Sequence, residues 1–271
     1  MTELDLPACM PATASPEPGA WIQYNLPPHG MSPAALLALA EQALADGTAT
    51  DFFFMHKPPG LRLRFHAPDP AALRFDLERH LSGAWRPAVY EPEQRLFGGA
   101  TSMRSVHRVF TADSLAWLAF QSARGDGAYT TWAFSLLTIR ALLAALEIVG
   151  WEDLDVWDRL SRDGGRELAA TAVADERVER IVAVLRSGWA DPERLRKALP
   201  GNLHPVVDRY RAAVEVEAPR WIADYFTAPG AEVGPRQVAA LLVIFHWNRG
   251  RLPVHHQALI THALGCRQVI A

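Results

Sequence analysis

Strand signals stop partway along this chain, and that asymmetry limits what it can fold into. Of its 20 prolines, 13 precede Val106, together with the aromatic clusters and every segment that alternates with a period of two. Beyond Asp113 the pattern is helical throughout. Residues 21–26 alternate, with Ile22, Tyr24 and Leu26 on one side and Gln23 and Asn25 on the other. Ser32-Pro33 starts a helix, because a serine oxygen can cap free amides and proline suits the first helical position. Asp46-Gly47 ends it. Residues 52–57 and 61–66 read as two strands joined by Pro58-Pro59-Gly60, a hairpin. Asp69-Pro70 opens a second helix through Leu81. Residues 85–91 read as a strand interrupted or placed at an edge, since Pro87 has no ladder donor.

Strand, helix, strand, strand, helix, strand is the order of a ferredoxin-like, or split βαβ, unit. Helices are then expected at 113–122, 129–149, 152–161, 175–186, 192–198, 204–225, 235–248 and 254–264. Asp113 is expected to cap the first of these, and Gly150 to end the second. The expected class is α+β: a sheet-containing part over 20–112 and a helical part over 113–271, forming one catalytic domain. Residues 1–19, rich in Pro, Ala, Thr and Ser, read as a disordered tail.

The 271 residues carry 27 Lys+Arg against 30 Asp+Glu, a formal charge of -3. That balance lacks the basic excess of a dedicated nucleic-acid binder. The two cysteines, Cys9 and Cys266, make no CxxC and no disulfide framework, so a reducing cytoplasm is expected. The start has no charged-then-apolar signal layout. The most apolar stretch, 134–149, contains Arg140 and Glu147 and is shorter than a membrane span of roughly 20 residues.

Three clusters can carry chemistry. In the hairpin, alternation sends Leu61, Leu63 and Phe65 to one face and Arg62 and Arg64 to the other. Two adjacent guanidiniums can hold an anionic group. They can equally be a solvated face paired with helix carboxylates. The second cluster runs from Tyr90 to Gly99: Glu91 or Glu93 is a candidate acid or base if desolvated, and Gly98-Gly99 permits close approach of a ligand, or simply a turn. Ser102 and His107 follow, and His107 is expected to titrate near neutrality unless it is structural. The third is His246-Trp247-Asn248-Arg249, ending an apolar helix whose dipole favours a protonated His246. His246 there faces a cleft or a buried network. His255, His256 and His262 lie nearby, but no carboxylate or cysteine completes a metal set. No GxGxxG, P-loop, HExxH or GxSxG occurs, so no cofactor is expected.

In this order, "RLRF" at 62–65, "YEPE…FGG" at 90–99, "F..DS" at 110–114 and "NR" at 248–249 resemble the C-terminal domain of class I lanthipeptide dehydratases and its stand-alone relatives in thiopeptide biosynthesis. The resemblance spans nearly the whole chain, from Trp21 to about Leu264. It implies modification of a ribosomal precursor peptide (a RiPP) bearing a leader. One branch eliminates glutamate from glutamylated Ser or Thr. The other, the pyridine synthases, joins two dehydroalanines by a formal [4+2] cycloaddition, then loses water and the leader.

The sequence departs from the eliminating members. Their arginine before the "YGG" aromatic is replaced by Leu96, with Arg95 the nearest arginine. The first histidine of their "HxHxNR" falls on Ile244, leaving His246. A glutamate before "F..DS" is replaced by His107. Losing a cation and a histidine weakens elimination, so the resemblance implies a pyridine synthase, with Tyr90, Glu93, Ser102, His107 and His246 as candidate catalytic groups. Arg62, Arg64, Arg95, Trp247, Asn248 and Arg249 are candidate substrate or leader contacts. The partner is a precursor peptide containing dehydroalanine and azoles, alongside other pathway enzymes, with no nucleic acid and no membrane. The alternatives are a glutamate-eliminating partner of a split dehydratase and a non-catalytic leader-binding scaffold.

Overall fold

The computed structural model describes residues 19–265, apart from 29, 59, 82–84, 124–127, 170–172 and 174. The tail expected over 1–19 therefore lies almost wholly outside the described residues, as do both cysteines.

Strand β1 (Ala20–Leu26), helix α1 (Pro33–Ala45), strands β2 (Asp51–Lys57) and β3 (Gly60–Ala67), helix α2 (Pro70–His80) and strand β4 (Arg86–Ala88) follow in the expected order. The sheet runs β2-β3-β1-β4 with every neighbouring pair antiparallel, which is the ferredoxin-like arrangement. Ser32 Oγ accepts the Ala35 amide at the start of α1, and Asp69 Oδ1 accepts those of Ala71 and Ala72 at the start of α2. β4 is only three residues long, shorter than expected, because Pro87 sits opposite Tyr24 without an amide to donate.

Register fixes two different sheet faces. Ile22, Tyr24, Leu63 and Phe65 are buried on one face, where the Tyr24 hydroxyl donates to Glu78 of α2 at 3.0 Å. The other face places Trp21 opposite His66, and Gln23 and Phe53 on either side of Arg64. Helix α3 (Ala100–Ala123) covers this second face and runs along β2.

α3 begins 13 residues earlier than Asp113, so Asp113 is not a helix cap but lies buried in mid-helix. The true start follows Gly98 and Gly99, whose φ values of 84° and 92° turn the chain in a region that side chains disfavour. A Cβ on Gly98 would also collide with the Tyr225 hydroxyl.

The remainder is helical: α4 (Ala128–Ala145), α5 (Asp153–Arg162), α6 (Glu176–Ala190), α7 (Pro192–Lys197), α8 (His204–Trp221), α9 (Pro235–Arg249) and α10 (Val254–Gly265). α4 stops short of the expected Val149, because the chain reverses at Glu147 with φ of 59° before reaching Gly150. Pro219 lies inside α8, which then widens into a π turn, Ile222–Phe226.

The edge of β2 is covered by side chains. The Phe52 and Phe54 amides donate to Thr111 Oγ1 at 3.1 Å and Ser114 Oγ at 3.3 Å, and the Phe54 carbonyl accepts from Arg249 Nε at 3.2 Å. One continuous buried cluster joins the sheet to the helices, with Phe110 stacked on Phe245 at 4.9 Å and against Phe53 at 5.1 Å. Among the described residues no helix is long and apolar enough to cross a membrane.

Candidate active site

Alternation along β3 buries Arg64 between the sheet and α3. Its Nε donates to Gln23 Oε1 at 2.7 Å, and its Cζ lies 4.6 Å from the Tyr90 ring centre and 5.0 Å from that of Phe53. Burial lowers its pKa, opposed by Tyr90 and Glu93, but a guanidinium stays charged. No ion pair closes around it among the described residues. Both guanidinium NH2 groups therefore remain as donors.

Tyr90 enters from the loop after β4. Its hydroxyl lies 2.9 Å from His107 Nε2 on α3, and the Trp21 ring covers the imidazole at 4.3 Å. Burial, reinforced by Glu93, pushes the Tyr90 pKa well above the usual phenol range. Burial also drives His107 down to about 3, with His66 and Arg64 adding to the effect. The expectation that His107 titrates near neutrality is therefore corrected: its site is too dry and too positive for an imidazolium. The phenol keeps its proton and is hydrogen-bonded to a neutral imidazole.

The second arginine comes from the last turn of α9. Arg249 is 1% exposed. Its Nη1 donates to Asp113 Oδ2 at 2.7 Å, and its Cζ lies 4.2 Å from the Phe110 ring and 5.9 Å from the Phe53 ring. Phe53 is thus shared by both guanidiniums. Arg249 Nη2 has no partner among the described residues.

Asp113 also lies 2.6 Å from His246 Nδ1 through Oδ1. Burial opposes its charge, but His246 and Arg249 outweigh that and hold its carboxyl below the ordinary value. Trp117 Nε1 is 3.0 Å from the same Nδ1, yet the carboxylate is nearer and charged, so the Nδ1 proton points to Asp113. His246 Nε2 is 3.0 Å from Ser135 Oγ, which also accepts from Trp247 Nε1 at 3.2 Å.

The fold therefore brings Arg64, Tyr90, Glu93, His107 and Arg249 together, although they are far apart in sequence. Glu93 is half-buried with a shielded Oε2 that has no partner among the described residues, and its charge acts on both Arg64 and Tyr90. Arg62 is half-buried, and close enough for its charge to act on Arg64. His246 joins only through Asp113. Ser102 is buried and committed to Trp221 Nε1 at 2.9 Å. Trp247 is buried against Trp157. Arg95 is exposed, and Asn248 forms no side-chain hydrogen bond or ion pair with the cluster. Sequence reasoning missed Asp113 as the hub. The available signal was an acid at helical spacing between Phe110 and Trp117, inside an apolar stripe. Among the described residues no three His, Cys, Asp or Glu side chains are grouped to hold a metal.

The family described as lantibiotic biosynthesis dehydratase, C-terminal, matches this chain over residues 21–269. Among solved structures, the tRNA dependent lantibiotic dehydratase MibB from Microbispora sp. 107891 shares the fold with a TM-score of 0.59 and 18% identity, over 93% of this chain. The match covers 28% of MibB, so this chain spans little more than a quarter of that protein. TsrL gives a TM-score of 0.48 and 15% identity, over 91% of this chain and 93% of its own. No curated protein sequence matches. With nearly all its length matched, the chain belongs to the lantibiotic biosynthesis dehydratase C-terminal family.

Proposed function

We propose that this chain is a RiPP biosynthesis enzyme that acts on a leader-bearing precursor peptide as a pyridine synthase. It joins two dehydroalanines by formal [4+2] cycloaddition and then releases water and the leader. The observation that carries this reading is the uncharged, buried Tyr90–His107 pair beside Arg64. Such a cycloaddition needs one amide held in its iminol form and two alkenes held face to face. Orientation of that kind can supply roughly 7–11 kcal/mol. With the neutral imidazole in the tautomer that donates from Nε2 to the phenol oxygen, the Tyr90 hydroxyl can give its one proton to the peptide, and Arg64 can polarise a carbonyl with its two unspent NH2 groups. An imidazole driven to about 3 is a weak base, which suits hydrogen bonding to an amide better than abstraction of an α-proton. Leaving water and leader then restore unsaturation, so aromatisation needs no oxidant. Glu93 is the group near Tyr90 able to carry a proton to the departing hydroxyl.

One observation favours glutamate elimination instead. Arg64 and Arg249 both retain donors that could grip a leaving carboxylate. Purified protein incubated with a leader-bearing peptide containing two dehydroalanines is expected to release leader and yield a pyridine macrocycle, read by mass. Loss of glutamate from a glutamylated peptide, with no reaction of the bis-dehydroalanine substrate, would replace the first reading with the second. Tyr90→Phe is expected to lower kcat about 100-fold with little change in KM, as removal of one catalytic proton donor does.

A further inference from the structure

We propose that Gln23 is a positioning residue for Arg64, that Asn25 fixes the sense of the Gln23 amide, and that an uncharged partner at position 23 keeps the guanidinium's charge for an electron-rich oxygen of the substrate. The proposal rests on the functional reading above for Arg64 as a substrate contact, and on the sheet for everything else. Register sets out three rows of side chains on the face that carries Arg64. Arg62 and Arg64 stand on β3, with Asn25 and Gln23 opposite them on β1, and Met55 and Phe53 opposite them on β2. Two amides and two apolar side chains therefore flank the two cations. Neither neighbouring strand offers a carboxylate in register with them.

The arginine dictates the direction of every bond in the row. A guanidinium has donors only, so the Gln23 atom that lies 2.7 Å from Arg64 Nε must be the oxygen, Oε1. That commits the Gln23 amide nitrogen to the other side, where Asn25 Oδ1 accepts from it at 3.1 Å. Two residues apart on one strand, Gln23 and Asn25 share a face. Gln23 is buried and Asn25 half-buried. A flipped Gln23 amide would set a donor against the Arg64 donor and lose both bonds. The Tyr90 and Phe53 rings, 4.6 and 5.0 Å from Cζ, attract the positive charge, but a ring face gives no direction to individual N–H groups. The bond at Nε does, and thereby fixes where the two NH2 groups lie. A glutamate at position 23 could make the same bond, but as an ion pair it would claim part of the charge. An amide orients the guanidinium without neutralising it.

Two readouts on the whole chain test this. The first needs no substrate: nitrogen-15 NMR follows hydrogen exchange at Arg64 Nε, its signal assigned by its loss in Arg64→Lys. Exchange should speed up about tenfold in Gln23→Leu and about threefold in Asn25→Leu, as loss of the direct and of the supporting hydrogen bond implies. The second readout is turnover of whichever peptide the parent chain converts, bis-dehydroalanine or glutamylated. Gln23→Glu separates orientation from charge, because it keeps a bond at Nε. Exchange should stay slow in that variant while kcat falls about tenfold with KM little changed, since a donor weakened in the transition state costs rate more than binding. A glutamine with a merely structural role predicts an unchanged kcat there. Asn25→Asp restores the acceptor that Asn25→Leu removes, and should return both exchange and kcat toward the parent values. Unchanged kcat in Gln23→Glu, or Arg64 exchange indifferent to Gln23→Leu and Asn25→Leu, would overturn the assignment. A parent chain that converts neither peptide overturns the functional reading instead, and exchange alone then decides whether the two amides orient Arg64.

Discussion

A buried carboxylate is costly unless both oxygens are engaged, and at Asp113 both are: one by Arg249 at 2.7 Å, the other by His246 at 2.6 Å. Asp113→Asn keeps the shape but leaves the Arg249 charge unpaired in the interior. Urea unfolding at pH 7 should show a loss of about 3–5 kcal/mol, the usual cost of breaking a buried pair. Because the folded carboxyl is held below its ordinary value, this contribution is complete above the unfolded pKa of about 3.9 and fades as pH falls through the folded one. Two histidines act in a higher window. His56 and His107 are lowered from 6.5 to about 4 and about 3, so the unfolded chain takes up protons that the native chain refuses. Stability should therefore decline as pH falls from 6.5 toward 4. The double variant His56→Gln, His107→Gln should flatten that slope in urea titrations across this range; an unchanged slope would show that other groups set it. The residue types at the site were legible beforehand: Arg64, Tyr90, Glu93, His107 and Arg249 all stood among the candidates. Their protonation was not, since spacing carries no information about how dry a histidine becomes.

At the level of elements, the main surprise is α3. It carries Ser102, Ser105, His107 and Asp113 at positions that face inward, which breaks the apolar period a buried helix should show. Each polar group has a partner that only the tertiary structure supplies: Trp221, Glu217, Tyr90 and the Arg249–His246 pair. The split βαβ order, by contrast, rested on local signals such as caps, alternation and a proline-rich turn, and these agree with the sheet. α3 also protects the sheet edge, because Thr111 and Ser114 take the outward amides of β2 that would otherwise be unpaired. Thr111→Val and Ser114→Ala should each cost about 1–2 kcal/mol, the penalty for orphaning a buried amide. Hydrogen exchange should speed up at Phe52 in the first variant and at Phe54 in the second. Uniform loss of protection along β2 would point to general loosening instead of local pairing.

For the whole molecule, the arginine cluster exists only where the two halves meet. Arg64 comes from the sheet, Arg249 from α9, and both lie against Phe53, while Arg249 also ties the Phe54 carbonyl to Asp113. This joint could not be read from composition, because the partners are separated by 195 residues along the chain. A division at residue 112, which the change in sequence character suggested, would cut through α3, a helix whose two ends serve the same core. We therefore expect one cooperative unit. The probes needed to test this are built in: seven of nine tryptophans lie after residue 112, so fluorescence follows the helical half, while amide exchange in β1 and β3 follows the sheet. The two urea transitions should coincide, with a single slope. Arg249→Leu removes the charge together with the Asp113 and Phe54 contacts, and should shift both transitions to lower urea by the same amount. If fluorescence moved while sheet protection stayed in place, the halves would be separable and the site would be assembled by docking two independent folds. Coincidence would instead mean that any change weakening the joint also misplaces the two guanidiniums, tying the geometry of the proposed site directly to global stability.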